Sequence, residues 1–234
     1  AWPRGHSAGD EEAFVRGLAE DGEAFDLPLL GGDTVFTDGP LTVSATLFGW
    51  APHGGMIRRS GARPGDVLMV TGTIGDGLLG LRAAKGEIAD EDGALAARYR
   101  LPQPRLNLRQ ALLDHAAAAA DVSDGLFADA LHVAEASGCE AVIEVETIPV
   151  SPQAAGWIAR QDSDLSARLA LAAGGDDYEL VCAVRPGKVA DFSAACAAAG
   201  TPAAVVGRFQ VGTGLRLTYE GLDCVASDLG YRHR

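Results

Sequence analysis

The sequence is short of positive charge. It carries 19 Lys and Arg against 32 Asp and Glu over 234 residues, a formal net charge of −13. That argues against nucleic acid as a partner, because such binding rests on Lys and Arg neutralising phosphates. A long apolar run is also lacking: nothing approaches the ~20 residues needed to cross a bilayer, so no membrane partner is expected. The opening AWPRGHSAGDEE has no basic region followed by an apolar core and does not read as a signal peptide. It has no initiator Met either, which fits a chain that begins inside a longer protein.

Metal-ligand patterns of the soft kind are missing. The four cysteines, Cys139, Cys182, Cys196 and Cys224, form no CxxC pair, so a zinc site is not expected. Reduced thiols and a cytoplasmic setting suit this usage. The five histidines, His6, His53, His115, His132 and His233, show no HxxxH or HExxH spacing and read as surface or packing residues. No Gly-Lys-Ser/Thr follows the strand-like Asp66–Val70, and Thr71–Gly77 does not match GxGxxG, so it reads as a tight strand-to-helix turn.

What is present is a globular composition, 47% hydrophobic and 22% charged, long enough for one large domain or two smaller ones. Strands and helices alternate, which predicts an α/β or α+β architecture. The periodicity predicts helices over Asp10–Gly22, Leu78–Ala84, Leu106–Ala117, Leu126–Gly138 and Lys188–Ala199. An acidic and then helical stretch covers Ala89–Arg100, and Ala154–Ala170 reads as helix broken at Asp162–Asp164. Strands are predicted over Leu41–Trp50, Asp66–Val70, Ala141–Val145, Leu180–Val184, Ala203–Val206 and Leu215–Thr218, with a turn at Gly207–Gly214. Pro- and Gly-rich Ala51–Pro64 is the natural domain boundary.

The informative stretch is Asp121-Val122-Ser123-Asp124-Gly125 at the mouth of a helix. Ser and Asp there suit plain N-capping and the helix dipole. Capping needs one such residue, and here there are three. Two carboxylates and a hydroxyl also suit Mg²⁺, which takes one or two protein carboxylates with water and substrate phosphates. An acidic protein that handles a polyphosphate needs such cations to offset repulsion.

Gly174-Gly175-Asp176-Asp177-Tyr178-Glu179 puts three like charges within four residues, which repel unless a cation or cationic ligand sits among them. An earlier Gly31-Gly32-Asp33-Thr34 fits an ordinary turn, or a close backbone approach to a ligand. Arg58, Arg59 and Arg63 fit either a phosphate clamp or a solvated loop.

Taken in order, these motifs, with Gly39-Pro40-Leu41-Thr42, Arg59-Ser60-Gly61-Ala62 and Thr71-Gly72-Thr73-Ile74-Gly75-Asp76, resemble the thiamine-monophosphate kinase family, part of the ATP-binding superfamily of aminoimidazole ribonucleotide synthetase. The resemblance runs from about Leu27 onward. It implies transfer of a phosphoryl group from ATP to thiamine phosphate with Mg²⁺. By match, Asp33, Asp121 and Asp124 are the Mg²⁺ ligands and catalytic carboxylates. Gly32, Asp33, Arg59 and Ser123 would meet the nucleotide or its metal. Asp176 would face thiamine phosphate, and Tyr231 stands where the family places a substrate aromatic.

The resemblance further implies a homodimer and a two-domain fold of mixed sheets flanked by helices. Residues 1–56 would be the remnant of the ATP-binding, dimerising domain, and residues 57–234 the C-terminal α/β domain. The family's leading segment, with further Asp ligands, is not in this sequence. Asp129-Ala130-Leu131-His132 replaces the family's Asp-Leu-Gly-His, a change expected to alter helix packing more than chemistry. The tail, Ser227 to Arg234, departs from the family's His-Phe ending.

Overall fold

The computed structural model describes residues 1–52 and 55–231. The chain divides into two compact units, Ala1–Ala51 and Pro52–Arg234.

In the first unit, helix α1 spans Ala8–Ala24. Its start is fixed by a capping box: the Ser7 hydroxyl accepts from the Asp10 N–H (3.2 Å), and the Asp10 carboxylate accepts from the Ser7 N–H (2.9 Å). Short strands β1 (Trp2–Pro3) and β2 (Phe36–Thr37) pair in parallel. The Trp2 ring stacks on His6 and meets Phe14 edge-on. The strand expected over Leu41–Trp50 is not there: these residues have no regular structure. Alternation says which face of a strand would be buried, but a strand also needs a neighbour to take its N–H and C=O groups. Leu41, Val43, Leu47, Phe48 and Trp50 are accordingly exposed.

The second unit is built on one seven-stranded sheet. Its strands are β3 (Val67–Thr71), β4 (Ala116–Val122), β5 (Glu140–Glu144), β6 (Glu179–Val184), β7 (Ala203–Gln210), β8 (Gly214–Tyr219) and β9 (Leu222–Cys224). Their order is β4-β6-β3-β7-β5-β8-β9, antiparallel except between β5 and β8. Helices cover both faces, so the strands sort their side chains with period two. Leu68, Val70, Ala118, Ala120, Val181 and Ala183 join the core under α5 (Leu126–Ser137), with Phe127 and Phe209. Met69, Cys182 and Val184 point the other way, onto Leu108, Phe192 and Cys196. That second core is closed by α4 (Arg109–His115) and α8 (Val189–Ala198). A third cluster joins α2 (Asp76–Ala84), α3 (Ala94–Arg100), α6 (Pro152–Ile158) and α7 (Asp164–Ala172) through Leu79, Leu95, Ile158 and Leu171.

Two expectations fail here. The helix predicted to Ala117 stops at His115, and the alanine run Ala116–Ala120 is strand β4. Alanine favours helix by a few tenths of a kcal/mol per residue. A small side chain that fits between two packed layers, plus a full ladder to β6, outweighs that. The predicted turn at Gly207–Gly214 begins late, because β7 continues through Gly207 to Gln210. Gly207 is where β5 comes closest; a Cβ there would overlap the Val142 carbonyl. All four cysteines are free, and Cys182 and Cys196 serve as core packing.

Candidate functional site

The β4–β6 register pairs Asp121 with Leu180 and Val122 with Glu179. The loop after β4 and the loop before β6 therefore lie side by side at one end of the sheet. Three carbonyls of the first loop receive N–H groups from elsewhere. Val122 accepts from Tyr178 (2.8 Å), Ser123 from Asp176 (2.9 Å) and Asp124 from Tyr231 (2.8 Å). Gly175 allows the close approach: it has φ +71°, and a Cβ would lie 2.6 Å from the Ser123 carbonyl.

The Arg-rich segment joins from the other side of β4. Ala119 N–H donates to the Arg58 carbonyl (3.0 Å). The Ser137 hydroxyl, at the end of α5, accepts from Gly61 and Ala62 N–H (both 3.1 Å) and donates to the Arg59 carbonyl (3.3 Å). Arg59 Nη2 then lies 3.8 Å from Asp121 Oδ1, both side chains about half exposed. Such a pair contributes little stability, so its value lies in placement. Ser137→Ala should cost about 1–2 kcal/mol, because two N–H donors lose their acceptor; urea unfolding would measure it.

The three acids of Gly174–Glu179 do not form one cluster, which corrects the reading from sequence. Asp177 is fully buried, and its carboxylate accepts from Gly75 N–H (2.9 and 3.0 Å) and Gly77 N–H (2.9 Å). It occupies the N-terminus of α2, so the Thr71–Gly77 turn is already filled by an internal carboxyl group. Burial pushes the Asp177 carboxyl up to about 7, against the lowering effect of those amides. Glu179 is 1% exposed and bridges the Thr71 hydroxyl (2.8 Å), Arg105 Nε (2.8 Å) and Arg98 Nη2 (3.2 Å). The missing cations are thus Arg98 and Arg105. Only Asp176 remains at the surface of the loop, at φ +60°, accepting from the Tyr178 hydroxyl (3.3 Å).

Helix α5 begins after Gly125, which has no side chain to cap it. The cap comes from inside the helix. Asp129 Oδ2 accepts from the N–H groups of Ser123 (3.0 Å), Asp124 (3.1 Å) and Gly125 (3.2 Å). Asp124, Asp129 and His132 bring possible ligand atoms within 4.8 Å of one another. The reading from sequence gave Asp129 no place in the site; its signals there are an acid in a helix's first turn and the Asp129–His132 run set against the family's Asp-Leu-Gly-His.

Beside these loops, Leu78, Arg82, Gly174, Asp228 and Tyr231 help line a cleft of about 580 Å³, within the usual range for small-ligand sites. Arg59, Asp121, Ser123, Asp124, Asp176 and Tyr231 are thus gathered at one end of the sheet. Gly32 and Asp33 belong to the first unit, where Asp33 Oδ1 accepts from its neighbour Thr34 N–H (2.8 Å). His53, and Arg232, His233 and Arg234 of the tail, lie outside the described residues.

The chain is similar to known proteins both in sequence and in fold. Residues 63–220 match the family model for the AIR synthase related protein, C-terminal domain. A thiamine-monophosphate kinase of Caulobacter vibrioides is 54% identical over 232 residues, covering 99% of this chain and 66% of that protein. The Salmonella typhimurium thiamine-monophosphate kinase is 36% identical, covering 95% of this chain and 68% of its own length. The chain thus spans about two thirds of these relatives. The crystal structure of thiamine-monophosphate kinase from Stenotrophomonas maltophilia K279a superposes with a TM-score of 0.79 at 29% identity, covering 95% of this chain and 71% of the other. AaThiL complexed with AMPPCP and TMP shares the fold, with a TM-score of 0.77 at 22% identity, over 99% and 71% of the two chains. The chain belongs to the thiamine-monophosphate kinase family, within the AIR synthase related proteins.

Proposed function

We propose that the protein uses ATP to phosphorylate thiamine monophosphate, giving thiamine diphosphate. The observation that carries this reading is the meeting of the Asp121–Gly125 loop, the Asp176 loop and the Tyr231 backbone within one end of the sheet. Its relatives bear the same activity in their names, and AaThiL was complexed with AMPPCP and TMP.

The acceptor is already an anionic phosphate, so no side chain has to remove a proton. The task is to hold two anions in line and offset their repulsion. The donor set fits Mg²⁺. Asp121 is half exposed with hard oxygens facing outward, while the Asp129 oxygen nearest the loop is taken by three amides. Asp121 and Asp124 would hold the metal, which when bound would supply charge neutralisation across the phosphates. Arg59 would orient a phosphate through its fork of donors, and Ser123 would contact the nucleotide. Asp176, freed from the pairing that occupies Asp177 and Glu179, would face the cationic thiazolium. Tyr231 would lie against the ring. A homodimer and a cytoplasmic setting complete the reading; four free thiols, three of them buried, support the latter.

The test is direct. ATP, Mg²⁺ and thiamine monophosphate should yield thiamine diphosphate, and absence of product overturns the proposal. Asp124→Asn should lower kcat/KM by about 10²–10³-fold, as loss of a group that stabilises transferring charge does. Its melting temperature should stay near the parent's, whereas an unfolded variant would mark Asp124 as structural.

A further inference from the structure

We infer that Asp129 is a positioning residue that sets the site from behind, by fixing which way the backbone of Ser123–Gly125 faces. The inference rests on the function proposed above. Asp129 is 1% exposed and lies on α5. One of its oxygens collects three consecutive N–H groups, from Ser123, Asp124 and Gly125. Successive amides wrapped round one anion form a concave nest, and a nest leaves its carbonyls facing away. Those outward carbonyls do the joining. Ser123 O and Asp124 O, with Val122 O just before them, are the acceptors for Asp176, Tyr231 and Tyr178 N–H.

A single buried carboxylate therefore connects three parts of the site. It curls the loop that carries Asp124, directly after the end of β4 where Asp121 lies, and through the same peptide planes it docks the Asp176 loop and the Tyr231 segment. Rotating any of these three planes would break one bond on each side at once. Asp129 touches none of these partners' side chains in the hydrogen bonds above; it acts through backbone orientation.

The experiment compares Asp129→Asn and Asp129→Ala with the parent and with Phe192→Leu, a core change on the opposite face of the sheet. Hydrogen exchange should speed up at Ser123, Asp124, Gly125, Asp176, Tyr178 and Tyr231 in both Asp129 variants, with the rest of α5 still protected. Mn²⁺-AMPPCP affinity, read by calorimetry, should weaken about 10–100-fold, as for other residues that support metal ligands indirectly. Asparagine, which keeps an acceptor oxygen, should retain part of what alanine loses. Phe192→Leu should lower the melting temperature yet leave local exchange and Mn²⁺-AMPPCP affinity as in the parent. Unchanged exchange and affinity in Asp129→Asn and Asp129→Ala would overturn the inference. So would equal losses in Phe192→Leu, which would reduce Asp129 to general stability. Neither readout needs turnover, so a parent without kinase activity would sink the proposed function and still leave this inference judged on its own results.

Discussion

Glu179→Gln should lower the unfolding free energy by about 3–5 kcal/mol, the cost of removing one partner from a buried ion network. Glu179 is the sole acid among the side chains bridged here, facing Arg98 and Arg105, each 18% exposed. Glutamine keeps the shape and one acceptor oxygen but leaves two guanidinium charges without a counter-charge. The Thr71 hydroxyl, which donates to Glu179 and accepts from Leu180 N–H (2.9 Å), is left with a neutral amide oxygen, a weaker acceptor than the carboxylate. Partial exposure of the arginines offers some relief, so the lower end of the range is the firmer figure. Urea unfolding followed by fluorescence would measure it. A loss below about 1 kcal/mol would mean that the arginines swing out to solvent, as surface pairs can.

Asp177→Asn should change the pH dependence of stability. In the unfolded chain the Asp177 carboxyl titrates near its ordinary 3.8, and in the fold it keeps its proton up to about 7. Between those values unfolding releases a proton, so raising the pH favours the unfolded chain. The contribution of Asp177 is intact below about pH 4, falls as pH climbs toward 7, and is gone above that, a span of about 4 kcal/mol. Asparagine does not titrate. The parent should therefore lose ground to the variant as pH rises from about 4.5 to about 8, read from urea midpoints at both. A gap that stays constant would show that Gly75 and Gly77 N–H hold the carboxylate charged throughout.

Parts of this molecule were legible from the sequence because they are local. Helix α5 follows from Leu126, Ala130, Val133 and Ala134 on one face and Gly138 as its stop, found at φ +68°. The two acidic motifs stood out by composition. What stayed hidden depends on distance along the chain. Nothing near Glu179 points to Arg98 or Arg105, more than 70 residues away. The alanine run of β4 has helical propensity and becomes strand only through its pairing with β6. The Leu41–Trp50 alternation misled for the converse reason, a strand pattern without a pairing neighbour. Asp129 drew no site role from sequence because the three amides that it reaches lie backwards over the helix start.

The pairing of Val122 with Glu179 has one more consequence. A residue inserted within either strand would shift that register and turn the side chains beyond it to the opposite face. Evolution can retune which molecules this pocket accepts by exchanging amino acids one for one. It has little freedom to do so by lengthening either strand.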